Sequence, residues 1–149
     1  MQIRSAETAG FCFGVERAVS LAEQTAKSCA SAVTLGPIIH NRHVVERFEA
    51  MGLREIARAE DAQPGQTVVI RAHGIPVSEQ QTLAARGAKL VDATCPFVKK
   101  IHVIARQAEE AGRPLLIIGT PTHPEVTAIA SYSSDAHVFQ TAEALESWL

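Results

Sequence analysis

The sequence predicts an α/β fold built from repeated βαβ units with mainly parallel sheets. Three observations carry this. Short extended apolar runs alternate with helical periodicity along all 149 residues, the signature of strand, crossover helix and next strand. The runs Thr67-Val-Val-Ile-Arg and Pro114-Leu-Leu-Ile-Ile-Gly are continuous rather than alternating, as in parallel strands buried on both faces. Five reactive side chains, Cys12, His40, His73, Cys95 and His123, each stand where an extended run gives way to a helix. In an open α/β fold that position is the edge formed by the carboxyl ends of the strands.

Taken in order, Gln2 to Glu7 reads as a strand. Val15 to Cys29 reads as an amphipathic helix, with Val15, Ala18, Val19, Ala22, Ala26 and Cys29 on one stripe. Ala32 to Gly36 is the next strand, and Arg42 to Met51 a helix closed by Gly52. Leu53 to Ile56 reads as a short strand, Ala62 to Gln66 as a turn by composition, and Thr67 to Arg71 as a buried strand. Val77 to Arg86 is helical and ends at Gly87, and Lys89 to Asp92 is a strand. Pro96 opens a helix to about Ala111, where its missing N–H costs nothing. Pro114 to Gly119 reads as the clearest buried strand. A short helix from Pro124, a strand Ala136 to Phe139 and a helix Thr141 to Leu149 follow. The chain stops in mid-helix without a C-cap or polar tail, which suggests truncation.

Composition removes several classes of function. Hydrophobic residues make up 46% and charged residues 20%, enough for a packed core, and the formal net charge is -2. No basic face invites nucleic acid, and Lys99-Lys100 is expected on a solvated helix surface. From Met1 onward there is no basic segment followed by an apolar stretch, hence no secretory signal. No apolar run approaches a membrane span. Three widely spaced cysteines make no disulfide framework, so a reducing cytoplasm fits best.

Singly, each reactive residue has a plain explanation: cysteines among apolar residues are small core residues, and a lone histidine is usually satisfied by a local backbone bond. The shared setting argues otherwise. Gly10, Gly14 and the helix beginning at Val15 put Cys12 at a helix amino terminus, and Thr94, as N-cap, and Pro96 do the same for Cys95. There a thiol pKa falls and ligation is favoured. His40, His73 and His123, each immediately before a helix, can join the helix amide groups in binding an anion. Glu125, two residues after His123, is the natural proton donor of such a crevice. Cys29 on its apolar stripe, His43 within a helix, His102 on a helix surface and His137 in a strand read as structural or solvated. Zinc through Cys12, Cys95 and histidines satisfies a ligand count, but no Cys-x-x-Cys pair, Walker loop or Gly-x-Gly-x-x-Gly occurs. A generic nucleotide-binding fold is therefore disfavoured.

Five strings, Gly10-Phe-Cys-Phe-Gly-Val-Glu-Arg-Ala, Leu35-Gly-Pro-Ile-Ile-His-Asn, Ile70-Arg-Ala-His-Gly-Ile-Pro, Val91-Asp-Ala-Thr-Cys-Pro-Phe-Val-Lys-Lys and His123-Pro-Glu-Val, occur in the order found in the 4-hydroxy-3-methylbut-2-enyl diphosphate reductase family. The chain resembles that family over nearly its whole length. The resemblance implies a [4Fe-4S] cluster held by three cysteines, two of which fall on Cys12 and Cys95. It implies diphosphate binding by His40, His73 and His123, and protonation of the leaving hydroxyl by Glu125. Electrons would come from a low-potential donor such as ferredoxin or flavodoxin, and the products would be isopentenyl and dimethylallyl diphosphate. It further implies the first of three similar α/β domains, residues 1–95, and an incomplete second domain, residues 96–149. The family's third cysteine has no match here, so turnover by these 149 residues alone is not expected. The alternative is a stand-alone α/β domain that binds an anion or metal without redox turnover.

Overall fold

The computed structural model describes residues 2–149; Met1, where the reading of the amino terminus starts, lies outside the described residues. Strands β1 (Val33–Leu35), β2 (Arg54–Ile56), β3 (Thr67–Ile70) and β4 (Lys89–Asp92) form one sheet in the order β2-β1-β3-β4, and every pairing is parallel. Strands β5 (Leu115–Ile118) and β6 (Ala136–Phe139) form a second, two-stranded parallel sheet. The helices are α1 (Phe13–Ser28), α2 (Arg42–Ala50), α3 (Val77–Ala85), α4 (Pro96–Glu110), α5 (Pro124–Ala130) and α6 (Ala142–Trp148). A 3₁₀ turn at Ala59–Asp61 is additional to the sequence reading. The α/β class with parallel sheets is as expected.

The pleat divides the core of the larger sheet. On one face Val69 packs with Ala18 and Ala22 of α1 and Val44 and Phe48 of α2. On the other, Val68 and Ile70 pack with Leu83 of α3, Ile75, and Ala59 and Ala62 of the 3₁₀ turn. Successive residues of β3 thus face opposite clusters, which is why that strand is a continuous apolar run.

Three expectations need correction. Gln2 to Glu7 is not a strand: the segment is exposed and unpaired, and its single large apolar side chain, Ile3, is 84% exposed. Pro114 to Gly119 is a strand, but not one buried on both faces. Leu116 and Ile118 of β5 remain 40% and 65% exposed. They share a sheet face with His137 and Phe139, their register partners. Trp148 of α6 covers the latter two, with ring centroids 4.7 and 5.8 Å away, and leaves β5 open. Finally, His102 is buried, at 8% exposure, rather than on a helix surface. It lies on the inner stripe of α4 with Val98 and Ala105, at i, i+4, i+7 spacing.

Candidate functional site

All five reactive residues lie at strand carboxyl ends or helix amino termini, along one edge of the fold. Cys12 is the N-cap of α1, Cys95 of α4 and His123 of α5. His40 directly precedes Asn41, whose side chain caps α2 by accepting a hydrogen bond from the Val44 amide at 3.2 Å. His73 departs slightly from expectation, because Gly74, Ile75 and Pro76 intervene before α3. Residues before proline avoid helical geometry, and Gly74 turns the chain with φ +76°. Thr94 is not the cap of α4; it is buried, and its amide donates to Asp92 Oδ1 at 2.9 Å.

Backbone bonds beyond the strand ends hold these loops side by side. The Ala72 amide donates to the Ile38 carbonyl at 3.1 Å, and the Cys95 amide to the Ala72 carbonyl at 2.9 Å. The loops carrying His40, His73 and Cys95 therefore continue the sheet's ladder in the order of its strands. Across the gap to the second sheet, the imidazoles of His40, His73 and His123 form a triangle. Their centroids are 4.6 Å apart for His40–His73, 5.8 Å for His73–His123 and 6.2 Å for His40–His123.

One nitrogen of the triangle stands out. His73 Nδ1 is buried and has no hydrogen-bond partner among the described residues, a costly arrangement unless something else occupies it. Burial, with His40, Arg71 and His123 adding positive charge, depresses the His73 pKa to about 4. This imidazole is neutral near pH 7. His123 Nδ1 accepts the Glu125 amide at 3.2 Å, so in its neutral form the proton sits on Nε2 and that nitrogen is a donor. Behind His73 lies Arg71, whose Nε donates to the Gly74 carbonyl at 3.1 Å. Desolvation lowers the pKa of this guanidinium from its ordinary value, yet it remains a cation. Imidazole nitrogens gathered from three loops, with the Arg71 guanidinium nearby, suit an anion.

Cys95 lies against the helix that Cys12 caps. A Cβ on Gly14 would collide with Cys95 Sγ, so the first turn of α1 rests directly on that sulfur. Arg17 strengthens the contact, donating to the carbonyls of Thr94 at 3.1 Å and Asp92 at 3.4 Å. Cys29 takes no part. It follows the far end of the 16-residue α1, roughly 24 Å along the axis, with its sulfur near Thr67 Oγ1 at 3.5 Å and Ser31 Oγ at 3.7 Å. Those hydroxyl contacts lower its pKa. Among the described residues no three Cys, His, Asp or Glu side chains lie close enough to hold a metal ion by themselves. Glu125 sits in the first turn of α5, half-buried and next to His123.

His43 is solvated and His137 pairs with Asp135 at 2.7 Å, as expected of them. Arg71, Arg17, Gln80 and Tyr132 are contributors that the sequence reading passed over. Arg71 stood within the quoted Ile70-Arg-Ala-His string and offered a signal. Arg17, Gln80 and Tyr132 act through tertiary contacts that no local pattern announces.

Comparison with known proteins places the fold and the family. The family model described as LytB protein matches residues 3–148. A 4-hydroxy-3-methylbut-2-enyl diphosphate reductase of Solidesulfovibrio magneticus is 44% identical over 153 aligned positions, covering 98% of this chain and 54% of that protein. The reductase of the same name from Oleidesulfovibrio alaskensis is 47% identical over 149 positions, covering 98% and 53%. A solved structure of (E)-4-hydroxy-3-methyl-but-2-enyl diphosphate reductase superposes with a TM-score of 0.81 at 40% identity, covering 95% of this chain and 52% of that one. The E-1-hydroxy-2-methyl-but-2-enyl-4-diphosphate reductase of Plasmodium falciparum superposes with a TM-score of 0.87 at 26% identity, covering 94% and 45%. The chain thus spans about half the length of the relatives it matches.

Proposed function

The chain belongs to the LytB protein family, and from that premise we propose that it carries the diphosphate-binding and proton-donating half of a 4-hydroxy-3-methylbut-2-enyl diphosphate reductase. The observation that carries the reading is the imidazole triangle, drawn from two sheets, in which His73 Nδ1 has no partner among the described residues. His40, His73 and His123 bind the diphosphate, with Arg71 lending charge from behind. Glu125 holds a proton at its carboxyl for the hydroxyl that leaves as water. Cys12 and Cys95 fit two corners of a [4Fe-4S] cluster, because they cap α1 and α4 and the first turn of α1 rests on Cys95 Sγ. When bound, that cluster would supply single electrons from a low-potential donor such as ferredoxin or flavodoxin. A third thiolate is not among these 149 residues: the one remaining cysteine, Cys29, sits at the other end of α1. The chain by itself therefore binds the diphosphate without turning it over. No helix is long and apolar enough to cross a membrane among the described residues. A cytoplasmic setting and a division into domains 1–95 and 96–149 belong to the same proposal, the latter supported by the two separate sheets.

Two measurements test it. Calorimetric titration with inorganic diphosphate should show binding that is lost in His40→Ala, His73→Ala and His123→Ala. Iron and acid-labile sulfide after anaerobic reconstitution should appear only weakly in this chain and depend on both Cys12 and Cys95. Diphosphate binding with no iron uptake under any condition would favour the alternative, an anion-binding α/β domain without redox chemistry. No diphosphate binding at all would overturn the cradle.

A further inference from the structure

We infer that Tyr132, held by Gln80 and stacked on His102, is a positioning residue that fixes α5 on the segment following His73 and so sets the separation of His73 from His123. The inference rests on reading the three imidazoles as an anion cradle. That cradle spans two sheets that share no strand pairing, so something other than the β-ladder must set its width.

Helix α5 is a strut of seven residues, about 10 Å long, and both of its ends engage the segment 73–80. At its start, the N-cap His123 faces His73 at 5.8 Å. At its end, Ser131 Oγ accepts the Val77 amide at 3.0 Å. Tyr132 Oη accepts from Gln80 Nε2 at 2.8 Å, and the same Nε2 donates to the Ile75 carbonyl at 3.2 Å. The Tyr132 ring stacks on His102, with centroids 4.6 Å apart and an interplanar angle of 25°. His102 in turn lies on Gly74: a Cβ there would stand 2.6 Å from His102 Cε1. Gly74, adjacent to His73, is thus the base of a column that continues through His102 to Tyr132. The ladder bonds at Ala72 hold His73 to the first sheet, but no strand pairing holds α5 and His123 to it. Here the column and the Gln80 bond tie the two sides of the His73 loop to one short rigid helix. Misplacing a binding group by an ångström costs far more than its contact area suggests.

The test uses the 149-residue chain and two readouts. The first is the nuclear Overhauser contact between His73 and His123 ring protons without ligand, with the His40–His73 contact as internal reference. The second is affinity for inorganic diphosphate. In Tyr132→Leu and Gln80→Leu the His73–His123 contact should vanish and the His40–His73 contact persist, since the latter lies within the first sheet. Affinity should fall about tenfold, the scale of one well-placed hydrogen bond. Tyr132→Phe keeps the stack and loses only the bond to Gln80. It should match Gln80→Leu, and the double variant should be no weaker than either. A variant that loses both contacts has lost its fold rather than its latch, and Tyr132→Phe then decides. The inference is overturned if the His73–His123 contact persists and affinity stays within about twofold of the parent. If the parent binds no diphosphate, the cradle reading falls, while the ligand-free contacts still judge the latch.

Discussion

His73 shows how one residue couples stability, ligand binding and pH. Its imidazole titrates at about 4 in the folded protein and near 6.5 when unfolded. Between those values the unfolded chain takes up a proton that the folded chain refuses. Stability therefore falls as pH drops through that window and is insensitive to His73 above it. Urea unfolding across the window should show the decline, and His73→Asn should reduce it, while buried His102, whose pKa burial also lowers, keeps contributing in the same direction. A bound diphosphate reverses the local field and draws His73 toward its protonated form. Binding should then take up protons, seen as a dependence of the calorimetric heat on buffer ionisation, and tighten on mild acidification. Gly14 offers a second test at this scale. It is buried in the first turn of α1, and an added methyl would collide with Cys95 Sγ. Gly14→Ala should therefore lower the thermal midpoint, by overpacking of about 1–3 kcal/mol, and displace Cys95 so that iron uptake on reconstitution falls as well. A lower midpoint with normal iron uptake would mean that the glycine serves packing alone.

Elements set where those residues stand. Helix α2 is presented by its cap, and the Asn41 side chain supplies the acceptor for the Val44 amide. Asn41→Ala should cost about 1 kcal/mol in urea unfolding, and, because His40 is the adjoining residue, should weaken diphosphate binding as well. A variant that loses stability with unchanged affinity would show His40 to be held by the Ile38–Ala72 ladder instead. The elements were largely legible in the sequence, because strand runs such as Thr67 to Ile70 and helix breaks such as Gly52 and Gly87 act locally. The site's outline was legible for the same reason: residues between a strand and the next helix fall on one edge whatever the packing. What was not legible depends on partners distant in sequence. Gln2 to Glu7, read as a strand, pairs with no strand among the described residues. His102 looked solvated beside Lys99 and Lys100, although the Val98, His102, Ala105 spacing held the contrary signal. The column from Gly74 to Tyr132 joins residues 58 positions apart and left no trace in any local pattern.

The molecule as a whole buries its core unevenly, and this gives the largest-scale prediction. At the central strands β1 and β3 of the larger sheet both faces are covered, and Val68, Val69 and Leu83 are wholly inaccessible. Elsewhere apolar surface stands open: Phe97, Ile101 and Ile104 lie along one face of α4 at 64%, 40% and 58% exposure, and Leu116 and Ile118 of β5 are open as well. Contiguous apolar surface of this kind binds hydrophobic dyes and promotes association. It contributes less to folding than the core does, since Ile104 and Ile118 keep more than half of their surface in water in the folded state. Core and surface should therefore separate cleanly under mutation. Leu83→Ala removes buried volume and should cost about 2–5 kcal/mol. Ile104→Lys combined with Ile118→Lys should lower anilinonaphthalene sulfonate fluorescence and self-association while leaving the thermal midpoint unchanged. If the paired lysines instead unfold the chain, these side chains belong to the core, and β5 is buried in solution as its sequence first indicated.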